Sequence, residues 1–111
     1  MTFLYLNADR MGQGDPALGR KLLISFLTEI AKSDVEVDAV GCVNDGILLS
    51  TEEGPALEAL KALEAKGAQI MTCGTCLDHH ARRERLLLGG IGNMAGTVQV
   101  LSTADRVLAP C

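Results

Sequence analysis

Short apolar runs alternate with stretches of helical periodicity along the whole chain. Residues 2–7 open with Thr-Phe-Leu-Tyr-Leu, a run suited to a buried strand. A polar, glycine-containing loop follows. Asp15 then offers an N-cap, with Pro16 at the first helical position. Leu18, Leu22, Leu23, Phe26, Leu27 and Ile30 recur at helical spacing, which predicts a first helix reaching about Lys32. Residues 35–43 alternate and then turn apolar, as a second strand does. Asn44-Asp45-Gly46 marks a turn, and Ile47-Leu48-Leu49-Ser50 reads as a short helical turn or loop. Gly54-Pro55 opens a helix with Leu57, Leu60 and Leu63 on one face, and Gly67 suits its C′ position. Residues 69–73 read as a third strand and residues 77–83 as a short helix. Leu86-Leu87-Leu88-Gly89 suggests a fourth short strand. Asn93 caps a last helix with Met94, Val98 and Leu101 expected inward, and Arg106-Val107-Leu108-Ala109 is a final strand.

Repeated strand–helix units imply an α/β fold: a flavodoxin-like three-layer sandwich with a mostly parallel sheet of about five strands and helices on both faces. The 111 residues fit a single domain, 1–111, with no linker or internal repeat. Sites in such sheets form beyond the carboxyl ends of the strands. With a strand order of 2-1-3-4-5, the first and third strands are neighbours, and Asn7, the glycine loop and Cys73 share one rim. The candidate substrate-binding residues are therefore Asn7, Gly12, Gly14, Asn44, Gly74 and Thr75.

Composition narrows the function. A formal charge of −4 does not favour binding to a phosphate backbone. Aromatics are only 3%, with no Trp, so base-stacking platforms are not expected either. No stretch approaches the roughly 20 apolar residues of a membrane helix. The N-terminus lacks a basic region and a small-residue cleavage site, so it reads as a strand and not a signal peptide. Four unevenly spaced cysteines, Cys42, Cys73, Cys76 and Cys111, then suggest reduced thiols and a cytoplasmic location. Cys42 is expected in the core and Cys111 to be mobile.

Cys73-Gly74-Thr75-Cys76 is the strongest chemical signal. It stands where an apolar strand ends and a helix is about to start. A helix N-terminus or a nearby cation stabilises the thiolate, the reactive form of cysteine. Such a pair can take over a sulfane sulfur as a persulfide, resolve it as a disulfide, or exchange electrons as a dithiol. Two small residues at a strand–helix junction also occur for packing alone. Zinc fits poorly: His79 and His80 are adjacent and diverge, and no second CxxC completes a tetrahedral set. Leu77 stands where a c-type haem site needs histidine. His79 and His80 are expected at the surface, where one could still deprotonate a thiol. Asp78 is expected in an early helical turn, and Arg82, Arg83 and Arg85 on a solvated face that could dock an acidic partner. Gly14 to Lys21 has P-loop glycine spacing, but Arg20 and Lys21 replace its Lys and Ser/Thr, and Pro16 disrupts the cradle. No metal or cofactor is expected.

Several segments in order resemble one family: Gly12-Gln13-Gly14-Asp15-Pro16-Ala17-Leu18-Gly19, Asn44-Asp45-Gly46, residues 57–67, Cys73-Gly74-Thr75-Cys76-Leu77-Asp78 and Gly92-Asn93-Met94. Together they resemble the DsrE/DsrF-like domain of YedF-type sulfurtransferases, over nearly the whole chain. The resemblance implies sulfur or selenium metabolism and a homo-oligomer. It implies a catalytic persulfide on Cys73, with Cys76 as an extra thiol. YedF-type proteins commonly carry a TusA-like domain ahead of this one, so here a TusA-like carrier or another persulfide donor acting in trans is the expected partner. The alternatives are a small-ligand or partner-binding module with structural cysteines, and a CxxC dithiol redox protein.

Overall fold

The computed structural model describes residues 1–111. Five parallel strands form one sheet: β1 (Thr2–Leu6), β2 (Ala39–Cys42), β3 (Gln69–Cys73), β4 (Gly90–Gly92) and β5 (Arg106–Leu108). Between them run α1 (Pro16–Lys32), α2 (Leu48–Thr51), α3 (Pro55–Ala65), α4 (Gly74–His79) and α5 (Met94–Thr103). Asn44–Ile47 and Arg83–Arg85 are 3-10 turns. The fold is the expected three-layer α/β sandwich.

The strand order is 4-3-2-1-5, which corrects the order 2-1-3-4-5 expected from sequence. β2 lies between β1 and β3, so the first and third strands are not neighbours. Each of the first three crossovers steps one strand in the same direction. Right-handed connections of that kind put their helices on one face. The last crossover runs back to the far side of β1, so α5 lies on the opposite face.

The two faces differ in filling. Leu4, Leu6, Val40, Cys42 and Ile70 point from the sheet into a core shared with Leu23, Leu27 and Ile30 of α1 and Leu60 and Leu63 of α3. Burial of these large aliphatic side chains is the main stabilising term, at roughly 1.5–3 kcal/mol for each. The other face carries Phe3, Ala39, Gly41, Met71 and Cys73, with α5 above them. Gly41 leaves room for the Phe3 ring, since a Cβ there would lie 2.7 Å from its tip and force the ring to shift.

Local signals set several boundaries as expected. Asp15 caps α1 by accepting from the Leu18 N–H at 2.8 Å, with Pro16 behind it. Gly67 ends the α3 segment at a φ of +109°. Four expectations are corrected. β2 starts only at Ala39, although the Asp38 backbone still bonds Thr2 and Gln69. The short helix begins at Gly74 and not Leu77, because Cys73 itself takes the N-cap position. β4 falls on Gly90–Gly92 and not on residues 86–89. Gly89 turns the chain at a φ of +66°, where a side chain would collide with the Ile70 backbone. Lastly, Met94, Val98 and Leu101 of α5 face outward, at 54%, 57% and 37% exposure. The helix lays Gly96, Thr97 and Val100 against the sheet instead. Leu18 and Leu22 of α1 are also exposed.

Candidate functional site

The carboxyl ends of β2 and β3 and the start of α4 bring two thiols together. Alternation along β3 points Thr72 toward the α1/α3 face, where its hydroxyl hydrogen-bonds Ser50 at 2.8 Å. Cys73 therefore points to the α5 face, and it is buried. Burial opposes ionisation of Cys73. The backbone N–H and the thiol of Cys76, then the backbone N–H and the hydroxyl of Thr75, outweigh it and hold the Cys73 thiol below its ordinary value. Cys76 moves the other way. Burial raises it, the Asn44 N–H donating to its Sγ at 3.2 Å partly offsets that, and the neighbouring Cys73 raises it again. Two thiols this close do not ionise independently. Of the two, Cys73 is the thiol that ionises first, with the Cys76 thiol as a donor beside it.

Asn44 reaches this position through its own backbone. It has a φ of +50°, a left-handed conformation that asparagine tolerates. Its turn is pinned to the end of β1, since Val43 N–H donates to the Leu6 carbonyl and Gly46 N–H to Val43. Gly74 is buried where a Cβ would stand 3.0 Å from Ile91 and 3.1 Å from the Arg83 guanidinium.

The expected residues separate into two groups. Cys73, Gly74, Thr75, Cys76 and Asn44 converge. Asn7, Gly12 and Gly14 do not join them: they line a different rim cavity with Arg10, Asp45 and Cys111. The cause is the strand order, which interposes β2. Cys111 reaches its Sγ to within 3.7 Å of the Ala8 carbonyl and packs partly against the core, so it is held in place. The sequence reading had no signal for Met71, Ile91 or Val100, which border Cys73 on the α5 face, because only the tertiary pairing of α5 with β3 and β4 brings them there.

The flanking charges are placed by pairing. Asp78 stands late in α4 and not in an early turn. It receives a two-pronged contact from Arg83, Nε to Oδ1 at 2.7 Å and Nη2 to Oδ2 at 3.0 Å, which holds its carboxyl below the usual range. Arg82 pairs with Glu52 at 3.3 Å. Neither arginine is among the groups that stabilise the Cys73 thiolate. His79 and His80 are exposed, with their rings edge-to-face at 4.9 Å. No cluster of three or more His, Cys, Asp or Glu converges on a point that could hold a metal.

Cys42 lies fully buried, as expected. Burial pushes its thiol up to about 12, against hydrogen bonds from Ser50 and Thr72. In the unfolded chain it ionises near the free-thiol value. Above that pH the unfolded state binds fewer protons than the folded state, so stability falls as pH rises toward 12. We expect Cys42 to steepen this fall by up to about 1.4 kcal/mol per pH unit. Urea melts at pH 8 and pH 10 on the parent and a Cys42→Ala variant check this: the difference between the two pH values shrinks in the variant.

No protein-family model matches the chain, and no curated protein does. Solved structures do resemble it. The ychN protein from E. coli superposes with a TM-score of 0.65 at 19% identity, covering 97% of each chain. MTH1491 from Methanobacterium thermoautotrophicum, a protein of unknown function, superposes with a TM-score of 0.68 at 16% identity, covering 98% of this chain and 97% of that one. The likeness is one of fold: the chain shares its α/β architecture with these two proteins over nearly its whole length.

Proposed function

We propose that the chain is a sulfur-relay protein of the DsrE/DsrF-like, YedF-type kind, which carries sulfane sulfur as a persulfide on Cys73. The observation that carries this reading is the asymmetric placing of the thiol pair: Cys73 takes the N-cap position of α4, where the N–H groups of Thr75 and Cys76 favour its thiolate, while Cys76 lies inside the helix and is shifted the other way. The Cys73 thiolate attacks the outer sulfur of a donor persulfide R–S–SH. A new S–S bond forms on Cys73, the donor bond breaks, and R–S⁻ leaves. A TusA-like carrier in the cytoplasm fits as donor, in sulfur or selenium metabolism. Cys76, once deprotonated, can attack Cys73 Sγ, which yields the Cys73–Cys76 disulfide and hydrosulfide. An external dithiol must then reduce that disulfide.

Loading the reduced protein with a persulfide donor, then measuring intact mass and mapping the modified peptide, tests the proposal. We expect one added sulfur, on Cys73. Loading that maps to Cys76 or Cys111, or neither loading nor hydrosulfide release, removes the reading. Disulfide formation with no release of hydrosulfide would favour the dithiol redox alternative.

Assembly into a homo-oligomer is supported by α5. Its ten residues, Met94–Thr103, carry no charge, and its outward side presents Met94, Val98 and Leu101 beside exposed Ile91. A solvated surface helix ordinarily shows charged residues on that side. An uncharged apolar face also meets its own copy without like-charge repulsion, which suits a two-fold contact. Val98→Glu is expected to lower the assembly mass in sedimentation. An unchanged mass places the interface elsewhere.

A further inference from the structure

Beneath α5 the sheet leaves a cleft of about 200 Å³, and Cys73 lines it. The opposite face of the same sheet is filled by leucine, valine and isoleucine. On this face small residues line the cleft: Ala39 and Gly92 in the sheet and Gly96 in the helix. Phe3, Val43, Met71, Ile91 and Val100 give it apolar walls. No charged residue lines it. Its polar groups are mostly engaged. Asn93 caps α5 by accepting from Gly96 N–H at 2.8 Å, and the Thr97 hydroxyl donates to the Asn93 carbonyl at 3.1 Å.

We infer that this cleft binds a small, uncharged, apolar organosulfur compound and presents its sulfur to Cys73. Three observations set the chemical class. An apolar cavity of about 150 Å³ takes a benzene ring, so this one holds a ring or branched chain of similar size. Apart from the cysteines no residue with an ionisable side chain lines the cleft, so a ligand carboxylate has no cationic partner and a ligand ammonium no carboxylate partner there, which disfavours charged ligands. The cysteine on the cleft wall is the one whose surroundings favour the reactive form. In sulfur transfer, which rests on the carrier reading above, the compound enters as R–S–SH. Cys73 takes the outer sulfur, the old S–S bond breaks, and R–S⁻ leaves and takes a proton from solvent.

The test compares two donors, benzyl persulfide and zwitterionic cysteine persulfide, with each loading rate at Cys73 normalised to that of N-acetylcysteine. The expected preference for the benzyl donor is about tenfold or more, the range that apolar pocket contacts give. Two variants fill the cleft from opposite sides, Ala39→Leu from the sheet and Thr97→Leu from the helix. Either one, if folded by circular dichroism, should reduce the preference to near unity. Equal normalised rates in the parent overturn the inference, as does a preference that survives in a folded filled variant. If neither donor loads or releases hydrosulfide, the carrier reading fails by itself. The cleft is then read by labelling of Cys73 with neutral 4,4′-dithiodipyridine against dianionic 5,5′-dithiobis(2-nitrobenzoate), normalised in the same way. A preference for the neutral reagent that the filled variants lose keeps the binding site, and no preference removes it.

Discussion

Replacing Cys73 with serine is expected to reduce sulfur loading by at least about 100-fold, to the level of uncatalysed exchange, as removal of a reacting nucleophile does. A serine hydroxyl at that position has no accessible anion and forms no persulfide. The companion variant, Cys76→Ala, should act differently. It removes one of the donors that stabilise the Cys73 anion and leaves the N–H groups of Thr75 and of residue 76 in place. The thiol then ionises at a higher pH. The rate of Cys73 alkylation by iodoacetamide, followed against pH, should rise through a midpoint below that of a free cysteine in the parent. In Cys76→Ala that midpoint should move upward. Below both midpoints the variant reacts more slowly, and above both the rates converge. A parent profile indistinguishable from a free thiol would make the two cysteines structural.

The second large effect is expected at Gly46. A Cβ there would overlap the Leu6 carbonyl oxygen and lie 2.9 Å from the Leu6 carbonyl carbon. Both are backbone atoms in a central strand, so no side chain can swing aside. Gly46→Ala should cost about 3 kcal/mol or more, at the upper end of overpacking effects. That is a large share of the roughly 5–15 kcal/mol that holds a domain together. Thermal melting should show a drop on the order of 10 °C or more. The same displacement would move Asn44, whose N–H bonds Cys76. A folded Gly46→Ala protein should therefore also show altered Cys76 alkylation. A variant with an unchanged melting temperature would mean that the turn is not seated against β1 in solution.

The periodicity in the chain was enough to read most elements, and the reasons are local. Asp15-Pro16 and Gly67 act within a few residues of themselves, so α1 and the end of α3 fall where the sequence puts them. The Cys73-Gly74-Thr75-Cys76 pair was legible for the same reason. A strand end followed by a helix start is a local arrangement, and the stabilising N–H groups belong to the motif itself. α5 shows the limit. Its apolar positions at helical spacing point to an inward stripe, yet Met94, Val98 and Leu101 face out. Periodicity identifies an apolar side of a helix. It does not say whether this chain's own sheet or another surface covers it.

Sequence alone therefore determined the α/β class, the thiol pair at the end of the third strand and the absence of a long apolar span, since each depends on neighbours along the chain. Tertiary structure decided the strand order, and with it that Asn44 and not Asn7 meets the thiols. It also decided that Cys73 borders an apolar cleft under α5. Those outcomes rest on which strands pair and on which face each crossover lies. Such choices are settled by packing between residues far apart in the chain, as between Phe3 and Gly41 or Gly46 and Leu6.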